Sequence, residues 1–364
     1  TQSLSKFKTN KQYNTIEGRM WHTLEDLDFE NLEKVLKEIT GGNQVSFQEL
    51  VQSLMQGEMA DYGIKDWVLQ AILGEWQANR EIFFLLLGVG IASTVFYQIA
   101  SAFINKQIAE TSFYLTYLIF LTTSAAGFGL LVQTVGGCIE KIKQFMDVLV
   151  PCFFGVVSLS YGSVTAAGYY KVTVLIMALI NGVLLTVALP AVKIAVVLQM
   201  VNHLTKEEML SKLASIIGQV AKGCMKGMLA IIIGLNTLEG LLLPTIDKVK
   251  LNSLGKVVEM IPGVGGSAKT VAEIIAGTGT LVRNAVGVAA CLVLFIIISL
   301  PVIQTILFIL TYRILAVCLE PVADKRLTGA VEEIGKGGSL LLQAIVTAFL
   351  LFLITIAVVC LVAK

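Results

Sequence analysis

The sequence predicts an all-α fold: a polytopic membrane helical bundle of about seven spans with a suspected internal repeat, preceded by a small extracytoplasmic α-helical domain. Three observations point there. The chain is 55% hydrophobic and 15% charged, with a mean hydropathy of +0.79, far more apolar than a soluble domain. Its charge is unevenly placed, with a net −5 over residues 1–81 and +6 over the remainder. After Glu81, charge-free stretches long enough to span a bilayer alternate with short polar ones. Neither region is basic or clustered enough to suggest nucleic acid.

Residues 1–81 form the first unit. The opening residues are polar and loose, and Leu24, Leu27, Leu32, Val35, Leu36 and Ile39 then recur at helical spacing until Gly41 and Gly42 stop the pattern. Ser46 and Glu49 stand three apart, the capping-box spacing at which a hydroxyl and a carboxylate satisfy free N–H groups in a first turn. They lead into Leu50, Val51 and Leu54. A third helix starts at Ile64, with Trp67, Val68, Ala71 and Ile72 on one face, and approaches the membrane near Arg80. The Thr1 start, without a charged and apolar leader, is read as a removed signal peptide or a trimmed start.

A charge at the bilayer centre costs about 2.5 kcal/mol or more, so charge-free length measures the spans. Residues 82–105, 111–139, 148–170, 284–312 and 337–363 qualify directly. Residues 172–200 are interrupted by Pro190 and Lys193, and 227–244 contain Glu239. These give the organisation 82–145 (first two spans), 146–234 (first repeat), 235–256 (connector) and 257–364 (second repeat). Residues 203–226 read as an amphipathic helix along the interface or against a partner, and 321–336 resemble them. Three lysines between 247 and 256 favour the cytoplasmic side.

The repeat rests on a shift of 111 positions that places Pro262 on Pro151 and Pro301 on Pro190 without a gap. The same shift aligns Gly266 with Gly155, Gly279 with Gly168, Ala289 with Ala178 and Leu300 with Leu189. Only six prolines occur in the chain, so two pairs at one spacing argue for duplication; shared membrane composition is the competing account. Lys222-Gly223 and Lys336-Gly337 extend the pattern at an offset of 114. Bends are expected at Pro190 and Pro301, because proline lacks an N–H and its ring clashes with the carbonyl four residues earlier. Residues 263–283 are unusual in combining five glycines with Lys269, Glu273 and Arg283. They read as a re-entrant or interfacial helix lining a cavity, or as a membrane-surface loop.

Motifs for chemistry are scarce. Gly263-Val264-Gly265-Gly266 has glycines but no following Gly-Lys-Ser/Thr and no βαβ context, so it is a weak phosphate-loop signal. His22 and His203 lie far apart, and no His, Cys, Asp or Glu cluster has metal-ligand spacing. The six cysteines make no C-x-x-C pair and read as small packing residues. No catalytic residue, cofactor or metal is assigned. The remaining candidates are ionisable or backbone-perturbing residues at membrane depth: Glu239 with Asn236 one turn before it, Lys193, Pro151, Pro190, Pro262, Pro301, Gly263, Gly265, Gly266 and Gly279. Glu239 and Lys193 should face protein or water rather than lipid, unless they snorkel from helix ends. The expected pathway lies between the Pro190 and Pro301 breaks, with Glu239 and the glycine segment facing it; an internal Glu239–Lys193 pair is the structural alternative.

The Lys65-Asp66-Trp67 element, Ile261-Pro262-Gly263-Val264-Gly265-Gly266, Arg283-Asn284-Ala285-Val286-Gly287 and Leu319-Glu320-Pro321 together resemble the stage III sporulation protein AE family of endospore-forming bacteria. The resemblance covers essentially the whole chain and is most specific from Ile261 to Pro321. It implies a cleaved signal peptide and the mother-cell membrane facing the forespore. It also implies a multiprotein channel, or feeding tube, with other membrane proteins of the stage III sporulation A operon and, indirectly, a forespore-membrane partner. No catalytic residues carry over, and a homo-oligomer stays open. A self-sufficient secondary transporter of a small solute is the rival, since paired repeats with broken helices suit transporters too. With Thr1 outside, seven crossings would leave Lys364 in the cytoplasm.

Overall fold

The computed structural model describes residues 30–39, 46–56, 64–103, 106–161, 163–204, 210–234 and 265–362. The described residues are almost entirely helical and contain no strand, in agreement with the all-α expectation. Two short helices, α1 (Glu30–Ile39) and α2 (Phe47–Gln56), precede the long ones. The long helices are α3 (Ile64–Phe103), α4 (Lys106–Tyr161), α5 (Ser163–Val183), α6 (Leu189–Asn202), α7 (Ser211–Gly234), α8 (Gly265–Leu319) and α9 (Lys325–Val362). A π-helical turn, Leu184–Ala188, joins α5 to α6. Six stretches among the described residues are long and apolar enough to cross a membrane: Arg80–Ala100, Gln107–Phe154, Tyr170–Asn202, Ser211–Gly234, Asn284–Leu319 and Lys325–Ala357.

Cross-helix contacts fix the directions. The Ser93 and Thr116 hydroxyls hydrogen-bond at 2.7 Å, the Tyr117 hydroxyl donates to the Met200 carbonyl at 2.7 Å, and Gly218 backs onto Ala195. The Phe128 and Phe308 rings lie 6.3 Å apart, and the Gly337 backbone is seated against Phe128 and Val196. With α5 and α6 counted as one helix running through the π-helical turn, successive long helices alternate in direction. Phe47 packs on Phe145 with ring centroids 6.3 Å apart, while Thr355 and Ile356 join Met146 and Phe153 around one small recess. The N-terminal helices and the C-terminal part of α9 thus share one end of the bundle. The C-terminal ends of α3, α6 and α8 lie at the other.

Among the described residues this even parity differs from the seven-crossing expectation, whose span at 227–244 lies partly outside them. The apolar run 148–170 is not a span of its own, because α4 ends at Tyr161 and α5 begins at Ser163, dividing the run between antiparallel helices. Charge-free length cannot register a reversal of direction within an apolar run. Residues 203–226 and 321–336 also differ from separate interfacial helices, since most of each belongs to the long helices α7 and α9. From Gly265 on, the glycine-rich segment is helical and continues into α8 without a break. The expected first-unit boundary at residue 81 falls inside α3.

Leu32 and Leu36 of α1 and Phe47, Leu50 and Val51 of α2 are buried in the same continuous apolar core as the long helices. Helix α1 docks on α4, whose outer face turns polar at Glu140, Lys141, Lys143 and Asp147, with Lys143 and Asp147 paired at 3.6 Å, while α2 packs mainly on α8. Of the expected capping box, the Ser46 hydroxyl accepts the Glu49 N–H at 3.3 Å. Glu33 of α1 supplies a carboxylate, accepting the Ser46 hydroxyl and the Gln48 N–H at 2.9 Å each, so the cap also ties the two helices together.

Candidate functional site

Small residues bring the central helices to their closest approach. A Cβ on Gly337 would run into Val196 and lie 3.0 Å from the Phe128 ring, while one on Gly338 would lie 2.9 Å from Ile309. These adjacent glycines seat α9 against α4 and α6 on one side and α8 on the other, the small-residue packing typical of membrane helices. Gly90 does the same for α3, where a Cβ would lie 2.7 Å from Leu319. Gly223, which aligns with Gly337 in the suspected repeat, has open space around it.

Among the described residues the buried polar side chains are uncharged serines, threonines, asparagines and tyrosines. Tyr117 is buried and satisfied by Met200, and Thr173 Oγ1 is buried without a hydrogen-bond partner, whereas the Ser124 and Tyr312 hydroxyls are buried beside each other in a contact looser than a full hydrogen bond. Thr173 lines the recess between α4, α5 and the end of α9. At the opposite end, Asp324 caps α9 by accepting the Arg326 N–H at 2.9 Å. The Arg326 guanidinium binds both oxygens of Asp324 at 3.2 and 3.3 Å and lies 4.0 Å from the Phe113 ring centroid, fixing this turn to the start of α4. Burial pushes the Asp324 carboxyl up, but the hydrogen bonds and charge of Arg326 outweigh it and leave the net pKa below its ordinary value. The described residues contain no group of three or more His, Cys, Asp or Glu able to hold a metal ion.

The described members of the sequence-derived candidates lie on three helices, α4, α6 and α8. Pro190 is exposed in the first turn of α6, directly after the π-helical turn, whose wider winding accommodates a residue without an N–H. Pro301 is half-buried within α8, which stays α-helical through it, so the two prolines have different local backbones. Pro151 is exposed within α4, and Lys193 is exposed on α6, one turn beyond Pro190. The helices bearing Pro190 and Pro301 run in the same direction, with α4 and α9 packed against both. Gly265, Gly266 and Gly279 lie on the backbone of α8. Asn236, Glu239, Pro262 and Gly263 fall outside the described residues. Sequence reading missed Gly338, Tyr117, Arg326 and Asp324; the Gly337-Gly338 doublet in an apolar helix is the signal that marks close packing.

The Stage III sporulation protein AE family profile matches residues 45–363. The chain is 19% identical over 283 residues to Stage III sporulation protein AE of Bacillus subtilis (strain 168), a match covering 78% of this chain and 71% of that protein. No solved structure matches. The family match extends from α2 through the end of α9 and takes in every long apolar helix of the bundle, so the chain belongs to the stage III sporulation protein AE family.

Proposed function

We propose that this chain is a non-enzymatic, multi-pass subunit of the channel complex between mother cell and forespore. It sits in the mother-cell membrane, with α1 and α2 on the extracytoplasmic side. Family membership carries the reading, because it ties a bundle of long apolar helices to sporulation. Other membrane proteins of the same operon are its partners, with a forespore-membrane protein reached through them. The self-sufficient transporter gains no support from the family.

Within this reading Glu239 and the glycine-rich segment face the conduit, where water hydrates a charge that lipid would not. Glu239→Gln should leave protein abundance and membrane insertion unchanged while lowering forespore transcription and spore yield in the native spore former. Wild-type spore yield at normal abundance removes Glu239 from the pathway. The subunit role is tested separately by purifying the tagged chain from sporulating membranes, where the operon's other membrane proteins should co-purify; their absence overturns it.

A further inference from the structure

We infer that copies of this chain join head to tail, the α3 edge of one against the α7 edge of the next. Both are outer helices. The apolar parts of Arg80–Ala100 and Ser211–Gly234 are each 22% buried, against 28% for α4 and 44–50% for the spans in α5–α6, α8 and α9. The two edges lie apart: α3 packs on α4 and α8, whereas α7 lies along α6, which packs on α9 and α4.

Height selects how these edges pair. Copies in one bilayer are related by rotation about its normal, so a group on one copy meets only groups at its own height on the next. With α4 as the ruler, the Ser93–Thr116 hydrogen bond sets the antiparallel register of α3 and puts Glu81 level with Phe128. The Tyr117–Met200 bond with the Gly218–Ala195 contact places Lys222 level with Ala126, and the Gly136–Leu189 contact between the same helices places it level with Thr134. The offset from Glu81 is thus two to six residues, about 3–9 Å of helix, a height that the long glutamate and lysine side chains together span. Glu81 and Lys222 are both exposed, and exposed apolar side chains flank them: Phe84 on α3 and Val220 on α7. The edges also differ in charge. Residues 211–234 carry Lys212, Lys222 and Lys226 with no acid, while α3 carries Asp66, Glu75 and Glu81 against Lys65 and Arg80.

A two-fold pairing through α7 would oppose Lys222 to Lys222, whereas head-to-tail pairing opposes it to Glu81. Apolar contact supplies the attraction and the ion pair sets height and partner edge. Repeated contacts of this kind close into a ring if the rotation permits and otherwise form an open row. This assembly stands whether or not the conduit reading does.

Disulfide trapping of full-length chains in native membranes tests it. In a background lacking the six cysteines, differently tagged copies carrying Phe84→Cys and Val220→Cys should cross-link to each other. Placing both substitutions in one chain should yield a ladder of multimers. Stronger like-with-like cross-linking, or none at wild-type abundance, overturns the proposal. Independently, Glu81→Lys should shift the protein in lipid nanodiscs from multimer to monomer, and adding Lys222→Glu should restore the multimer. A multimer unaffected by Glu81→Lys, or a monomer that the second change does not rescue, also overturns it.

Discussion

At the scale of single residues, equivalent sequence positions carry unequal structural weight. Lys222-Gly223 and Lys336-Gly337 look alike, yet Gly223 meets open space and Gly337 is pressed between Val196 and Phe128. Gly337→Ala should destabilise the protein by about 1–3 kcal/mol, as overpacking does. Gly223→Ala should be neutral or stabilising by up to about 1 kcal/mol through helix propensity. Thermal unfolding of both variants in the same lipid measures the contrast. The buried tyrosines differ similarly. Tyr117→Phe removes a hydroxyl bound to Met200 and should cost about 0.5–1.5 kcal/mol. Tyr312→Phe removes a hydroxyl held only loosely by Ser124 and should cost less than Tyr117→Phe in the same assay.

Among the elements, the turn between α8 and α9 is the most charged junction held by described contacts, with Asp324, Arg326 and Phe113 stacked in sequence. The net pKa of Asp324 lies below its ordinary value of 3.8. Its ionic contribution is therefore fully present above that value and is lost as pH falls through the depressed folded pKa. Lowering the pH from neutral to about 3 should narrow the stability gap between the wild type and Asp324→Asn. Asparagine retains an acceptor for the Arg326 N–H, so the variant reports mainly on charge. Equilibrium unfolding of both proteins across that pH range checks the sign. The π-helical turn before Pro190 also belongs to this scale: a proline spacing was legible, but the form of the break was not, and Pro301 lies in a helix without one.

For the whole molecule, the lengths of α4 and α8 dominate. At 56 and 55 residues they extend about 84 and 82 Å, well beyond the roughly 30 Å of a hydrocarbon core. Each therefore continues outside the membrane, and α4 provides the platform on which α1 docks. Six alternating helices predict that the C-terminal end of α9 shares a side with α1 and α2. An impermeant thiol reagent should label Asp147→Cys and Val362→Cys from one face of the membrane and Lys325→Cys from the other, in a background lacking native cysteines. Labelling of positions 147 and 362 from opposite faces would contradict the fold.

The amino-acid pattern by itself determined the class, the family and most of the apolar helices, because bilayer burial is written in composition and run length. It also showed the hydroxyl half of the Ser46 cap, a local matter of spacing. Tertiary structure decided the reversal after Tyr161, the docking of α1 and α2 on the long-helix core, and the different surroundings of Gly223 and Gly337. In each case the physical reason is the same. Apolar runs specify that a segment is buried, by lipid or by protein, while direction, neighbour and register come from the fit between helices far apart in the chain.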